Sequence, residues 1–371
     1  MKHVLITGGA GFIGSHLADE LLAHGYRVRV LDSLAAQVHG DGTRRPDYLH
    51  TEVELQVGDV CDKEAVARAL QGIDAVYHFA AAVGVGQSMY EIAHYTRTNN
   101  LGTAVLLEAL IEKPVDKLVV ASSMSLYGEG LYRNARGELC EAGERSLAQL
   151  QQDDWELRDD KGEALEPVPT PESKQPALAS VYALSKYDQE RLVLMTGRAY
   201  KIPSVALRFF NAYGPRQALS NPYTGVLAIF ASRLLNDSAP KIFEDGLQQR
   251  DFVSVYDVAR ACRLALETPA AEGDVFNIGS GQPQTVRAIA NRLARVMGKE
   301  HIEPEITGKY RVGDIRHCFA DIGKARRVLG YEPRVSLEEG MSELAAWLEG
   351  QASVDRVAQA SAELSARGLT V

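Results

Sequence analysis

A glycine-bearing turn caught between a strand pattern and a helix pattern, "HVLITGGAGFIGSHLADEL", leaves few folds open to this chain. An apolar run rich in branched side chains leads into Gly8, Gly11 and Gly14, and an amphipathic helix pattern begins at once. Glycines at such a junction permit a tight turn, let a ligand approach the backbone and allow the helix to pack closely on the strand. Downstream, the short runs "RVRVL", "VELQV", "DAVYHF" and "KLVVAS" alternate with helical stretches such as "TAVLLEALIEK". Strands separated by helices imply right-handed crossovers, and so a parallel sheet covered on both faces.

The fold class expected is α/β, a Rossmann-type doubly wound parallel sheet with a smaller mixed α/β substrate-binding lobe. Residues 1–208 read as the first domain, interrupted at 129–178 by an acidic, Pro-bearing insertion that is either lid-like or partly disordered. Residues 209–350 read mainly as the substrate-binding lobe, with 249–278 able to return to the first domain, and 351–371 as a C-terminal tail. A formal charge of -9 with no basic run argues against nucleic acid or an anionic membrane as partner. Cys61, Cys140, Cys262 and Cys318 are dispersed, without metal-ligand spacing, and read as ordinary buried thiols in a reducing compartment. No metal is expected. The first residues enter a strand pattern directly, with no signal-peptide character and no membrane-length apolar run, so a cytoplasmic protein is expected.

Asp32 closes the second strand pattern, "RVRVLDS". Behind a glycine turn that offers helix N–H groups to a pyrophosphate, a carboxylate there accepts from ribose hydroxyls and repels a 2′-phosphate. The expected cofactor is NAD.

In "VYALSKYDQE", Tyr182 and Lys186 lie one helical turn apart on one face. Together with the G-x-x-G-x-x-G spacing, this pair resembles the short-chain dehydrogenase/reductase superfamily, in its extended branch of NAD-dependent nucleotide-sugar epimerases and dehydratases. The resemblance implies that Ser123, Tyr182 and Lys186 are catalytic: Tyr182 exchanges a proton with a sugar hydroxyl, Lys186 favours the phenolate and holds the nicotinamide ribose, and Ser123 bonds the same substrate oxygen. It also implies cofactor contacts from Gly8, Gly11, Phe12, Ile13, Gly14, Asp32, Asp59, Val60, Phe79, Ala80, Ala81, Asn99 and Phe209, in addition to Tyr182 and Lys186. Ser123, Asn211, Arg250, Arg311 and Asp314 fall on positions for a nucleotide-diphosphate sugar, where arginine forks suit phosphate oxygens and a carboxylate suits a ribose diol. A homodimer built on the helices around "TRTNNLGTAVLLEALIE" and "VYALSKYDQERLVLMTGRAY" is implied as well.

Dehydratases of this branch carry an acidic pair after the catalytic Ser/Thr, where this chain has Met124 and Ser125. A 4-epimerase passing through a transient 4-keto sugar needs no such acid. The stretches "LRFFNAYGPRQALSNPYTGV" and "GDIRHCFADIGKARRVLGYEP" resemble the dTDP-L-rhamnose 4-epimerase type, which implies interconversion of dTDP-L-rhamnose and dTDP-6-deoxy-L-talose. The alternatives are a UDP-hexose or UDP-hexuronate 4-epimerase and a nucleotide-sugar reductase or dehydrogenase.

Overall fold

The computed structural model describes residues 2–40, 44–218, 225–310, 314–349 and 357–370. Seven strands make the central sheet: β1 (His3–Thr7), β2 (Arg27–Asp32), β3 (Glu54–Val57), β4 (Ala75–His78), β5 (Lys117–Ser123), β6 (Ser204–Phe209) and β7 (Val275–Ile278). They are all parallel, in the order β7-β6-β5-β4-β1-β2-β3. The chain runs outward from β1 through β2 to β3, then returns to lay β4 on the other side of β1. That reversal opens a crevice at the carboxyl ends of β1 and β4, where open α/β sheets take their ligands.

Both faces of the sheet are covered, which is why its strands read as continuous apolar runs. On one face the helices Phe12–Ala23 and Val255–Glu267 bring Leu17, Leu21, Val258 and Cys262 into one core with Ile6, Val30 and Val205. On the other, Lys63–Ala69, Gly102–Glu112 and Val181–Tyr200 bring Val66, Leu106 and Val193 against Leu5, Val76 and Val120. Each such aliphatic side chain contributes roughly 1.5–3 kcal/mol on full burial. Of the cysteines expected to be buried, Cys262 and Cys318 are, whereas Cys61 and Cys140 are only partly covered; all four are free thiols.

A second lobe carries a small mixed sheet of Asn211–Tyr213, Gln249–Ser254, Pro283–Thr285 and His317–Cys318. The helices Val226–Leu235, Val286–Val296 and Leu337–Leu348 cover it through Phe230, Leu293 and Leu344. The insertion is folded: Leu131–Arg133 pairs antiparallel with both Leu139–Glu141 and Glu166–Val168 around a small core of Tyr132, Leu157 and Leu165. Among the described residues, no helix is long and apolar enough to cross a membrane.

Candidate functional site

The glycine turn lies at the mouth of the crevice. Gly8 has φ +71, and a Cβ there would lie 2.7 Å from the Ala80 amide nitrogen. A Cβ on Gly14 would lie 2.6 Å from both the Gly8 carbonyl oxygen and Gly9 Cα, so helix and turn touch backbone to backbone. Gly11 caps the Phe12–Ala23 helix with extended backbone and no side chain, which leaves the first-turn N–H groups, Phe12 and Ile13 among them, without a side-chain acceptor among the described residues. Asp32 at the end of β2 is buried; Oδ2 accepts from the Ala10 N–H at 3.0 Å and Oδ1 from the Leu34 N–H at 2.9 Å. His39 Nε2 stands 3.6 Å from Oδ1. An uncapped helix start, glycines with no room for a side chain and an oriented carboxylate fit a dinucleotide.

The flanking positions line the same edge. Val60 is buried against Gly102, and Asp59 is exposed beside it, with Oδ1 accepting from the Cys61 N–H at 2.8 Å. Phe79 and Phe209 meet edge to face at 5.8 Å between centroids, and Ala80 and Ala81 follow as partly covered chain. Asn99 sits in a π-helical turn, Thr96–Leu101, a local feature the sequence does not announce. Its Oδ1 accepts from the Ala82 N–H at 2.7 Å and its Nδ2 donates to Ser185 Oγ at 2.8 Å, so it clamps the Ala80–Ala82 segment to the Tyr182 helix.

Ser180 caps that helix by accepting from the Ala183 N–H at 3.1 Å. Tyr182, Lys186, Gln189, Glu190 and Val193 follow at one-turn spacing on the face turned to the sheet. Ser123 is the last residue of β5. Its Oγ accepts from both the Ser125 N–H, at 3.1 Å, and the Ser125 hydroxyl, at 2.9 Å. With both lone pairs committed, the Ser123 hydroxyl is left to donate. Burial pushes the Tyr182 phenol above its ordinary range, and a hydrogen bond with Ser123 acts in the opposite direction. Tyr95 packs edge to face on the Tyr182 ring at 6.4 Å.

Lys186 is buried, and burial pulls its ammonium down to about 7, with Glu190 opposing. Glu190 is itself taken up by Arg208 on β6, through Nε at 2.9 Å and Nη2 at 2.7 Å, and by the Ser122 hydroxyl at 2.7 Å. Lys186 Nζ donates to Gln189 Oε1 at 2.6 Å. Gln189 is a residue the sequence reading passed over, since a glutamine in an amphipathic helix reads as solvated surface.

In the second lobe, Asn211 Oδ1 is buried with no hydrogen-bond partner among the described residues. The Arg250 guanidinium donates to the carbonyls of Gln249, Arg316 and Ile315, and lies 3.7 Å from Asp314 Oδ1. Arg311 lies outside the described residues. The insertion reaches the same place through side chains that sequence reasoning missed. Arg145 donates to Glu244 Oε1 at 2.8 Å and to the Asp314 carbonyl at 3.0 Å. Arg316, fully buried, bonds Glu156, Glu244 and Asp245, and Glu129 accepts from the Arg316 N–H at 2.6 Å. Glu244 holds this network from a left-handed backbone, φ 54.

The NAD dependent epimerase/dehydratase family matches residues 4–147 and 160–279. This chain belongs to that family. A dTDP-L-rhamnose 4-epimerase from Burkholderia thailandensis is 35% identical over 94% of this chain and 95% of its own. The structure of a UDP-glucose 4-epimerase from Thermotoga maritima with UDP-glucose superposes with a TM-score of 0.76 at 33% identity, covering 94% of this chain and 98% of that one. A Thermus thermophilus UDP-glucose 4-epimerase complex with NAD gives 0.73 at 32% identity, covering 94% and 100%. As a member of the epimerase/dehydratase family the protein is an enzyme, an NAD-dependent nucleotide-sugar epimerase, and the doubly wound α/β fold is the one its relatives share.

Proposed function

We propose that the enzyme interconverts dTDP-L-rhamnose and dTDP-6-deoxy-L-talose by epimerisation at carbon 4 through a transient 4-keto sugar. The observation that carries a 4-epimerase reading is the surroundings of Ser123: the next side chain, Met124, is buried and apolar, and Ser125 spends its hydroxyl on Ser123. A group able to protonate and expel a leaving hydroxyl is missing from the two positions where dehydratases of this branch carry one. The dTDP-sugar assignment is supported by the Burkholderia relative, named for that reaction. A UDP-hexose or UDP-hexuronate substrate is the second reading, favoured by the UDP-glucose 4-epimerase structures.

The glycine turn, Asp32 and the Asn99-clamped segment would hold NAD, whose nicotinamide supplies reversible hydride transfer when bound. Tyr182 takes the proton of the sugar 4-hydroxyl and returns it, and Ser123 donates to the same oxygen. Lys186 holds positive charge beside them, which offsets the burial that otherwise keeps the phenol protonated. Asn211, whose buried oxygen has no partner among the described residues, and Arg250 and Arg311 are the groups for the nucleotide diphosphate, and Asp314 for a ribose diol. The substrate is a nucleotide-diphosphate sugar and the expected assembly a homodimer: Leu101, Leu184 and Met195 are about half exposed on the two helices expected to pair across it.

Incubating the purified protein with dTDP- and UDP-sugars, without added NAD, tests the substrate directly by NMR of the products. Turnover of dTDP-L-rhamnose ahead of the UDP-sugars is expected. Preference for UDP-glucose or UDP-glucuronate would select the second reading, and stoichiometric formation of reduced nicotinamide would make the enzyme a net dehydrogenase.

A further inference from the structure

We propose that Gln189 is a positioning residue for Lys186, an uncharged acceptor whose orientation is locked so that it holds the ammonium without neutralising it. The inference rests on the roles given above to Tyr182 and Lys186.

The locking follows from counting donors and acceptors along a buried chain. The Ala80 N–H donates to Thr7 Oγ1 at 3.2 Å, and the Phe79 N–H, bonded to the Thr7 carbonyl at 3.0 Å, also reaches Oγ1 at 3.2 Å. Because Thr103 spends its hydrogen on the Asn99 carbonyl, it can only accept from His78 Nε2, and Thr7 accordingly gives its own hydrogen to His78 Nδ1, 2.8 Å away. His78 then carries its proton on Nε2 and donates it to Thr103 Oγ1 at 2.8 Å. This neutral tautomer agrees with burial and the nearby Lys186 driving the ring's pKa down to about 3. Thr103 donates onward to the Asn99 carbonyl at 2.5 Å. Its remaining lone pair takes Gln189 Nε2–H at 2.9 Å, and the Ala80 carbonyl stands 3.4 Å from the same nitrogen. The 3.2 Å approach of Gln189 Nε2 to His78 Nε2 is thus a contact between two donors rather than a bond.

With its NH2 group facing acceptors, Gln189 must turn Oε1 to Lys186. A flipped amide would set NH2 against an ammonium and leave Thr103 facing a second lone pair. Gln189, His78, Asn99 and Thr103 are all fully buried, so water cannot relieve an error in this chain.

The charge state of the acceptor matters because little else reaches the pair. The titratable groups around it are His78 from β4, neutral; Glu190 on the same helix, already bound by Arg208 and Ser122; and Tyr95 against the phenol. A carboxylate at position 189 would neutralise the positive charge on which the role assigned to Lys186 depends.

The test is the pH dependence of kcat for Gln189→Glu and Gln189→Leu, each checked for retained NAD and for folding by circular dichroism. Gln189→Glu should move the acid limb upward by about one pH unit or more, as an opposite charge at contact does to an ionisable neighbour, with activity recovering at high pH. Gln189→Leu deprives a buried ammonium of its acceptor, so the alkaline limb should move downward, with kcat lowered and KM for the sugar unchanged. A merely structural residue would cost stability and NAD together and leave both limbs of the surviving activity in place; that result overturns the proposal. If Gln189→Glu does not fold, the alkaline limb of Gln189→Leu decides. Tyr182→Phe separates the two levels, because full turnover by that variant sinks the assigned role of Tyr182 whatever the Gln189 variants do.

Discussion

The carboxylate of Asp32 accepts the backbone N–H of Ala10 at 3.0 Å, joining the end of β2 to the glycine turn that follows β1. The residue read from sequence as a ribose acceptor is therefore also a brace for the turn, and its second oxygen is set by Leu34 N–H. Asp32→Ala should remove one charge-assisted hydrogen bond to the cofactor, about 1.5–3 kcal/mol, and loosen the turn as well. NAD released on denaturing the purified variant should fall at least about tenfold against the parent. Asp32→Asn, which can keep one backbone acceptor, should fall between them. Parental NAD content in Asp32→Ala would remove Asp32 from the cofactor site.

Gly14→Ala tests the close helix-to-turn approach by itself. The added methyl meets backbone on two sides at 2.6 Å, and backbone cannot swing away as a side-chain tip can. Overpacking of this kind costs about 1–3 kcal/mol, so the denaturation midpoint should drop and NAD retention with it. Gly25→Ala is the control: φ is +80 with nothing within 4 Å, so it should show only the cost of a left-handed alanine, about 1 kcal/mol, with NAD retained.

What could be read in advance divides along physical lines. The glycine turn, Asp32 and the Tyr182–Lys186 pair depend on local backbone geometry and on spacing within one helix, both of which a sequence records. Arg316 could not be read that way. It meets Glu156, Glu244 and Asp245, contributed by distant parts of the chain, and in sequence it sits in "GDIRHC" as one more surface arginine. The insertion was opaque for the same reason. Its acidic, Pro-bearing composition names no partners, whereas Glu129, Arg145 and Glu156 are partners for a cluster in the second lobe. Gln189 lay on a face already recognised as functional, and its distance of three residues from Lys186 was the available signal.

The Arg316 cluster is the anchor of the insertion, and it should behave as one. Arg316→Met removes the central cation and leaves buried Glu244 with Arg145 as its one ion-pair partner among the described residues. Breaking a buried pair from one side costs about 3–5 kcal/mol, and the surviving Arg145 contact should hold the loss toward the lower figure. Urea denaturation reads this as a lower midpoint. Limited proteolysis should then cut first between residues 134 and 165, before the central sheet is touched. Unchanged stability would mean that the cluster holds nothing together.

Acid should release the same anchor before it unfolds the central domain. A hydrogen bond from His317, aided by Arg316, holds the Glu156 carboxyl down to about 2 from its ordinary 4.5. Because the folded-state value is the lower one, the contribution of Glu156 is complete above pH 4.5 and is lost as pH falls toward 2. Trp155 is the reporter: it adjoins Glu156, its carbonyl accepts from Arg145 at 3.2 Å, and its ring packs on Tyr310 at 6.3 Å. With Trp347→Phe as background, Trp155 emission should shift to the red between pH 4.5 and 2 while the helical circular dichroism of the central domain persists. Glu156→Gln, which cannot ionise, should show the red-shifted emission already at neutral pH and lose the acid transition. An unaltered transition in that variant would assign the acid response to other carboxylates.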